Sequence, residues 1–332
     1  MSSSDAIAPR RKRRLRWILI LLAVLVAAYC GGWYYLAQQL RREVDTRLAD
    51  LNRNGVIAQC ANREVRGFPF SIGVYCDGLN YEDDSRAIYA SAGALSSRAR
   101  IIDPLLGVAE VDGPLRMQAP GLIPIWVDWD RLAANVRASW PLPRRIGFSG
   151  EGIAVQSDPE NETNPAQLFN LATLTAGVTP NGQNLDGSGA FADLEISPSA
   201  VGGRTIPVLN GAGEISLVNG VQTIASRSRS LRGQSIEIKS LTLSTGDASV
   251  ALSGPVAVNA EGLIDASLKL TMRNPRAWSA VLEQAIPERA DQIRSGLSGV
   301  ALLGQEVSLP FNVAGGRARL GPIPLGDLPP LD

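Results

Sequence analysis

The sequence predicts a mainly β protein with accessory helices, an α+β chain. An N-terminal transmembrane helix is followed by a large antiparallel, curved β-sheet domain. Three observations predict this. Six cationic side chains (Arg10, Arg11, Lys12, Arg13, Arg14, Arg16) stand directly before a charge-free run from Trp17 to Ala37. From Gly55 onward, short runs alternate between apolar and polar residues and are broken by Gly, Pro, Asn and Asp. Helical spacing reappears in only a few later stretches.

The charge-free run reads WILILLAVLVAAYCGGWYYLA, 21 residues. At about 1.5 Å of rise per residue it reaches roughly 30 Å, the thickness of a bilayer's hydrocarbon core. Arg and Lys clustered before it hold that flank on the cytoplasmic side of the membrane, which places the C-terminal domain outside the cytoplasm. Trp17 at one end and Trp33, Tyr34 and Tyr35 at the other suit the two membrane interfaces. Val26-Ala27-Ala28 also offers small residues where a signal peptidase would cut, so a cleaved, secreted product is the alternative. Against cleavage, the apolar run continues past Ala28 for longer than a signal peptide requires. Bulky Tyr29 disfavours lipid attachment at Cys30.

The chain thus divides into a basic tail (1–16), a spanning segment (17–37), an amphipathic stalk (38–54) and a β-rich domain (55–332). A boundary within 157–186 would subdivide the last. In the stalk, Leu36, Leu40, Val44, Leu48 and Leu51 recur every three or four residues, with charges on the other faces. That stripe can pack on the chain's own sheet or pair two stalks in a coiled coil. Gly55 is a natural stop.

Candidate strands follow at 56–64, 71–76, 87–92, 95–102, 107–110, 115–118, 125–129, 135–139 and 147–156. Asn164 and Pro165 read as the start of a helix over 165–174. The strongest β signal covers 190–196, 211–217, 235–244, 248–252, 255–259 and 263–272. It is joined by turns such as Asn219-Gly220 and Thr245-Gly246-Asp247. Ile236, Ile238, Leu241 and Leu243 alternate with polar partners, as an antiparallel meander with one wet face requires. Asn274-Pro275 and Pro287 open two helices reaching about Val300. Strands at 305–313 and 317–321 and a Pro-rich end close the chain.

Formal net charge is zero, but residues 1–16 carry a net +5, leaving −5 for the remainder. A mildly acidic exported part repels phosphate backbones, so nucleic acid is not expected as a partner. Histidine is absent. Histidine-based catalysis and the commonest metal ligand are therefore missing from the chain, and Ser–His–Asp and Cys–His arrangements are excluded. Gly147-Phe148-Ser149-Gly150-Glu151 approaches a nucleophile elbow but lacks the final glycine. Asp128-Trp129-Asp130 in a strand would put two carboxylates on one face, though a polar strand end is the simpler reading. Glu82-Asp83-Asp84 reads as a solvated turn. Asn161-Glu162-Thr163 matches a glycosylation acceptor and is discounted as a site. No catalytic residue, cofactor or metal site is expected, and the chain reads as a non-enzyme.

Cys60 and Cys76 are 16 positions apart and flank a predicted hairpin. In an oxidising compartment they can close a loop; otherwise they are two buried thiols. The run Arg66-Gly67-Phe68-Pro69-Phe70 is more distinctive. It reads as a kink at a strand edge with Phe68 or Phe70 packed into the core. The alternative is an aromatic tip, Phe68, Pro69 and Phe70, that contacts lipid or a protein partner.

The basic N-terminus, the spanning helix, the stalk, Val65–Phe70 and the closing Gly316–Leu331 (GRARLGPIPLGDLPPL) together resemble the alphaproteobacterial envelope family called domain of unknown function 2125. The resemblance covers nearly the whole chain and implies no catalytic residues. In texture the chain is also similar to AsmA-like envelope proteins, which are single-pass, β-rich and implicated in lipid handling. The expectation is a single-pass inner-membrane protein in contact with membrane lipids. Its periplasmic sheet would bind lipid or another envelope component. The alternative is a scaffold acting through contacts with envelope proteins. A continuous exposed aliphatic groove would favour lipid, and a closed dry core would favour scaffolding.

Overall fold

A computed structural model describes residues 9–53, 55–158, 165–226, 230–321 and 323–331. One helix, α1 (Pro9–Leu51), carries both the apolar segment and the stalk without a break. It leads into β1 (Val56–Ala61), β2 (Glu64–Arg66), β3 (Ser71–Cys76), β4 (Gly78–Asp83), β5 (Ile88–Ala92), β6 (Leu95–Arg100) and β7 (Asp103–Val111). Next come β8 (Leu115–Gln118), β9 (Ile125–Asp128), β10 (Arg131–Arg137), β11 (Arg145–Ser157), β12 (Gln167–Asn181), β13 (Asn184–Ile196) and β14 (Leu209–Leu217). After α2 (Gly220–Ala225) the chain forms β15 (Ser235–Thr245), β16 (Ala248–Val258) and β17 (Ile264–Arg273). The helices α3 (Pro275–Ala285) and α4 (Ala290–Ala301) precede β18 (Glu306–Ala314), β19 (Arg317–Leu320) and β20 (Ile323–Asp327).

Every strand pairing is antiparallel, and the sheet curves without closing. Its long part is a meander in which each strand from β10 to β20 pairs with the next. The sheet forks at β11. The first half of that strand pairs with β10, continuing through β7, β6 and β3 to β2. Its second half pairs with β9, continuing through β8, β5 and β4 to β1. Two strips therefore diverge from one strand. A disulfide between Cys60 on β1 and Cys76 on β3, with Cα atoms 5.3 Å apart, ties their far ends together.

The stalk half of α1 packs against this forked end. Val44 and Leu48 face Ala58, Cys60, Val74 and Cys76 around a cavity of about 430 Å³. Asp45 pairs with Arg63, and Asn52 bonds the Ala58 amide and carbonyl. The apolar stripe read from the sequence is thus used against the chain's own sheet. Where β3 meets β6 the backbones crowd, and a Cβ at Gly73 would collide with the Ser97 carbonyl. Ser97 Oγ meanwhile bonds both the Val74 amide and its carbonyl.

Three sequence expectations are corrected. Residues 167–181 form a 15-residue strand, β12, where a helix was expected over 165–174. The apolar residues Leu168, Leu171 and Leu174 stand three apart there, which imitates a helical repeat. Leu171 is buried with Ile153 and Val155, and Leu174 packs against that cluster. On the neighbouring strand Phe191 and Leu194 do the same, around Asp193 with φ +54°. On that strand a bulge inserts an extra residue between them. Second, Asn219-Gly220 does not make a hairpin turn. Asn219 takes a left-handed conformation and starts α2. The simpler reading of Asp128-Trp129-Asp130, a polar strand end, holds: β9 ends at Asp128, whose carboxylate accepts from the Trp129 amide, while Trp129 joins the core cluster. Asp128 and Asp130 therefore do not share a strand face.

The third correction concerns Glu82-Asp83-Asp84. Asp83 is fully buried and closes the β4–β5 turn. It accepts from the Ser85 hydroxyl at 2.5 Å, the Arg86 amide at 3.2 Å and the Arg86 guanidinium at 3.0 Å. The Ser85 hydroxyl, then the Arg86 amide and charge, hold its carboxyl below the usual range against the opposing effect of burial. The Gly147–Glu151 run lies inside β11, with Gly147 and Gly150 buried, so it forms no strand-to-helix elbow. The Asn161–Thr163 sequon and Asn164 lie outside the described residues.

Candidate functional site: an apolar groove and an aromatic loop

Strand register determines which side chains share a face, and across the long meander it lines up apolar and small residues. Ala176 faces Gly189, which faces Gly213, then Leu241, Leu252, Leu270 and Leu309 in successive strands. A second row runs Leu174, Phe191, Gly211, Leu243, Val250, Met272 and Val307. Between these rows and the residues around Val178, Gly187 and Ile215 lies a groove of about 670 Å³. Among the described residues no charged side chain lines it, and Ser188 and Thr242 bring its hydroxyl groups. The volume falls in the range of small-molecule sites.

The glycines shape this groove by leaving room. A Cβ at Gly211 would run into the Phe191 ring, and one at Gly213 would meet Leu241 Cδ2 at 2.5 Å. Substitution would push those side chains into the open space. Ile215 and Leu241 keep 37% and 38% of their surface exposed, so part of the groove floor is an aliphatic surface facing water. The opposite face is polar. Thr271 and Ser308 share a hydroxyl contact of 3.0 Å, and Arg273 pairs with Glu306 at 3.4 Å. Asp186 on β13 accepts from Lys239 at 2.8 Å, Ser216 at 2.5 Å and Asn181 at 3.1 Å. Those donors, Lys239 first, pull its pKa down to about 2.

Sequence reading did not find these groove residues. The signal was there in two Gly-x-Gly pairs, 187/189 and 211/213. Their meaning depends on register, which the sequence does not display.

The residues that were singled out lie elsewhere, at the forked end. Cys60 and Cys76 are joined as described. Phe68 and Phe70 are not in the core; they are 52% and 80% exposed, respectively. Gly67 makes the bend with φ +119°, where a Cβ would collide with Ser71. Phe68 packs instead against α1, edge-on to Trp33 with ring centroids 5.4 Å apart and tilted against Tyr29 at 6.4 Å. Trp33 Nε1 donates to the Ser71 carbonyl at 2.9 Å, and the Tyr29 hydroxyl donates to the Pro69 carbonyl. The loop is clamped to the helix within the charge-free segment.

Among the described residues, no group of three or more His, Cys, Asp or Glu side chains gathers as a metal site would require. One described helix, α1, is long and apolar enough to cross a membrane; its composition suits a membrane anchor or a signal sequence.

Residues 33–329 match the family described as an uncharacterized protein conserved in bacteria, domain of unknown function 2125. The chain belongs to that family. The match begins inside the apolar segment and runs through both the forked end and the grooved meander, so the groove and the aromatic loop fall within the family's bounds. No curated protein matches the chain. The AsmA-like texture rests on sequence pattern alone.

Proposed function

We propose that this family member is a single-pass inner-membrane protein whose periplasmic sheet holds the acyl chain of a membrane lipid in its apolar groove. One observation carries the reading. An open groove of about 670 Å³, floored by aliphatic side chains and glycines and free of charge, runs across six adjacent strands of a curved sheet. An acyl chain asks for that kind of surface: continuous, elongated and without polar demands. The openness of this groove supports a lipid ligand over a scaffolding role.

The rest of the chain supports the setting. The cationic residues before Trp17 favour a cytoplasmic N-terminus. The Cys60–Cys76 disulfide suits an oxidising compartment such as the periplasm. Each methylene that moves from water into the groove contributes about 0.8 kcal/mol. A chain arriving from a bilayer is already out of water, so this gain nearly cancels. The groove then favours exchange of lipid with the membrane over tight capture.

Mass spectrometry of lipids copurifying with the detergent-extracted, full-length protein tests the reading. Enrichment of one or more lipids over a control single-pass protein is expected. No enrichment would overturn it.

A further inference from the structure

We propose that a second surface, separate from the groove, docks the domain onto the bilayer. Three neighbouring loop tips at the forked end insert into the interface of the leaflet from which α1 emerges. The tips are Phe68–Phe70, Ile101–Ile102 and the Ala138–Arg144 connection.

Backbone bonds make the three tips neighbours. The Ile101 amide donates to the Phe70 carbonyl at 3.0 Å, placing the β6–β7 turn beside the aromatic loop. The Ala138 amide donates to the Leu105 carbonyl at 2.7 Å, placing the β10–β11 connection beside the start of β7. Each tip offers an apolar side chain to solvent: Phe70 at 80% exposure, Ile102 at 88% and Trp140 at 94%. Three large apolar residues this exposed on adjacent loops are unusual for a surface that meets only water. Exposed Arg100, Arg144 and Arg145 stand at the roots of the same loops. Aromatic and aliphatic tips above a cationic collar match the acyl boundary and anionic headgroups of a membrane surface.

Depth identifies the occupant. Phe68 and the Pro69 carbonyl touch Tyr29 and Trp33. Those residues lie roughly 12 and 6 Å along the helix axis before Ala37, where the charge-free segment ends. A helix that spans the bilayer with this segment carries its clamped loop down to the level of its own aromatic belt, Trp33 to Tyr35. The loop cannot reach those helix residues and remain above the interface. A protein partner at the same spot would have to share that depth.

Full-length protein with Cys30→Ala is reconstituted into vesicles of phosphatidylethanolamine and phosphatidylglycerol. Single cysteines at Phe70→Cys, Trp140→Cys and Leu302→Cys carry an environment-sensitive fluorophore, and nitroxide-labelled lipids act as quenchers. Leu302 is 85% exposed and follows α4, at the opposite end of the strands. Several-fold stronger quenching at 70 and 140 than at 302 is expected. Equal quenching at all three sites, or none at 70 and 140, would overturn the proposal. A label-free measurement guards against disturbed variants. Quenching of tryptophan emission by brominated lipid should fall on Trp140→Phe, and an unchanged value would count against insertion. A groove that binds no lipid would leave both results intact, so the two proposals fail independently.

Discussion

Placing a charge on the groove floor separates a lipid site from a merely apolar sheet face, and Ile215→Asp is the most informative way to do it. Fully burying an isoleucine contributes about 1.5–3 kcal/mol. Ile215 is still 37% exposed, so folding has already drawn about two-thirds of that and a bound chain would draw the rest, roughly 0.5–1 kcal/mol. Aspartate therefore costs the fold about 1–2 kcal/mol, because its carboxylate stays in contact with water in the empty groove. An acyl chain lying over that carboxylate would strip its water without supplying a hydrogen bond, a loss of roughly 2–7 kcal/mol or more. At 1.4 kcal/mol per factor of ten, occupancy should fall by at least about tenfold. Lipid per protein is measured by mass spectrometry on the detergent-extracted full chain, with far-ultraviolet circular dichroism to confirm the sheet. Ile215→Val should stay within about twofold of the parent, since it removes a single methylene-sized group. Wild-type lipid content in a folded Ile215→Asp protein would refute the reasoning.

Other consequences follow from the packing and the ion pairs. Gly73→Ala forces a methyl into the Ser97 carbonyl and should lower stability by about 1–3 kcal/mol, seen as a lower urea midpoint; an unchanged midpoint would show that the strands part easily. Cys60→Ser frees a loop closed across 16 positions and should cost about 3 kcal/mol in the chain-entropy account, with slower migration on a non-reducing gel. Asp186 has a folded pKa of about 2 against an ordinary 3.8. Its contribution is therefore complete above about pH 4 and disappears as pH falls toward 2. Asp186→Asn should flatten the urea midpoint across that window, and an unaltered pH profile would assign the acid sensitivity elsewhere.

The meander from Ser235 to Arg273 was readable because its apolar and polar residues alternate cleanly and its turns carry Thr245-Gly246-Asp247 and Glu261-Gly262. The stalk was readable for the same reason at a different period. The strand at 167–181 was misread because its apolar residues Leu168, Leu171 and Leu174 stand three apart, the spacing a helix would also give. Asp83 was misread because a carboxylate among acidic neighbours looks solvated until Ser85 and Arg86 fold back on it. The groove was hidden for a deeper reason. Gly189, Gly213, Leu241 and Leu252 come from four strands, and only their register sets them side by side. The aromatic loop was visible as a motif, but its clamp on Tyr29 and Trp33 joins residues some forty positions apart.

The central claim, that the groove holds an acyl chain, is most directly tested by crosslinking inside the cell. A photoreactive benzoylphenylalanine is placed at Leu243 in the groove and, separately, at Thr271 on the opposite face, and the irradiated protein is weighed intact. The account predicts a lipid-sized mass increase at Leu243 and none at Thr271. Protein adducts at Leu243, or lipid adducts equal at both positions, would contradict it.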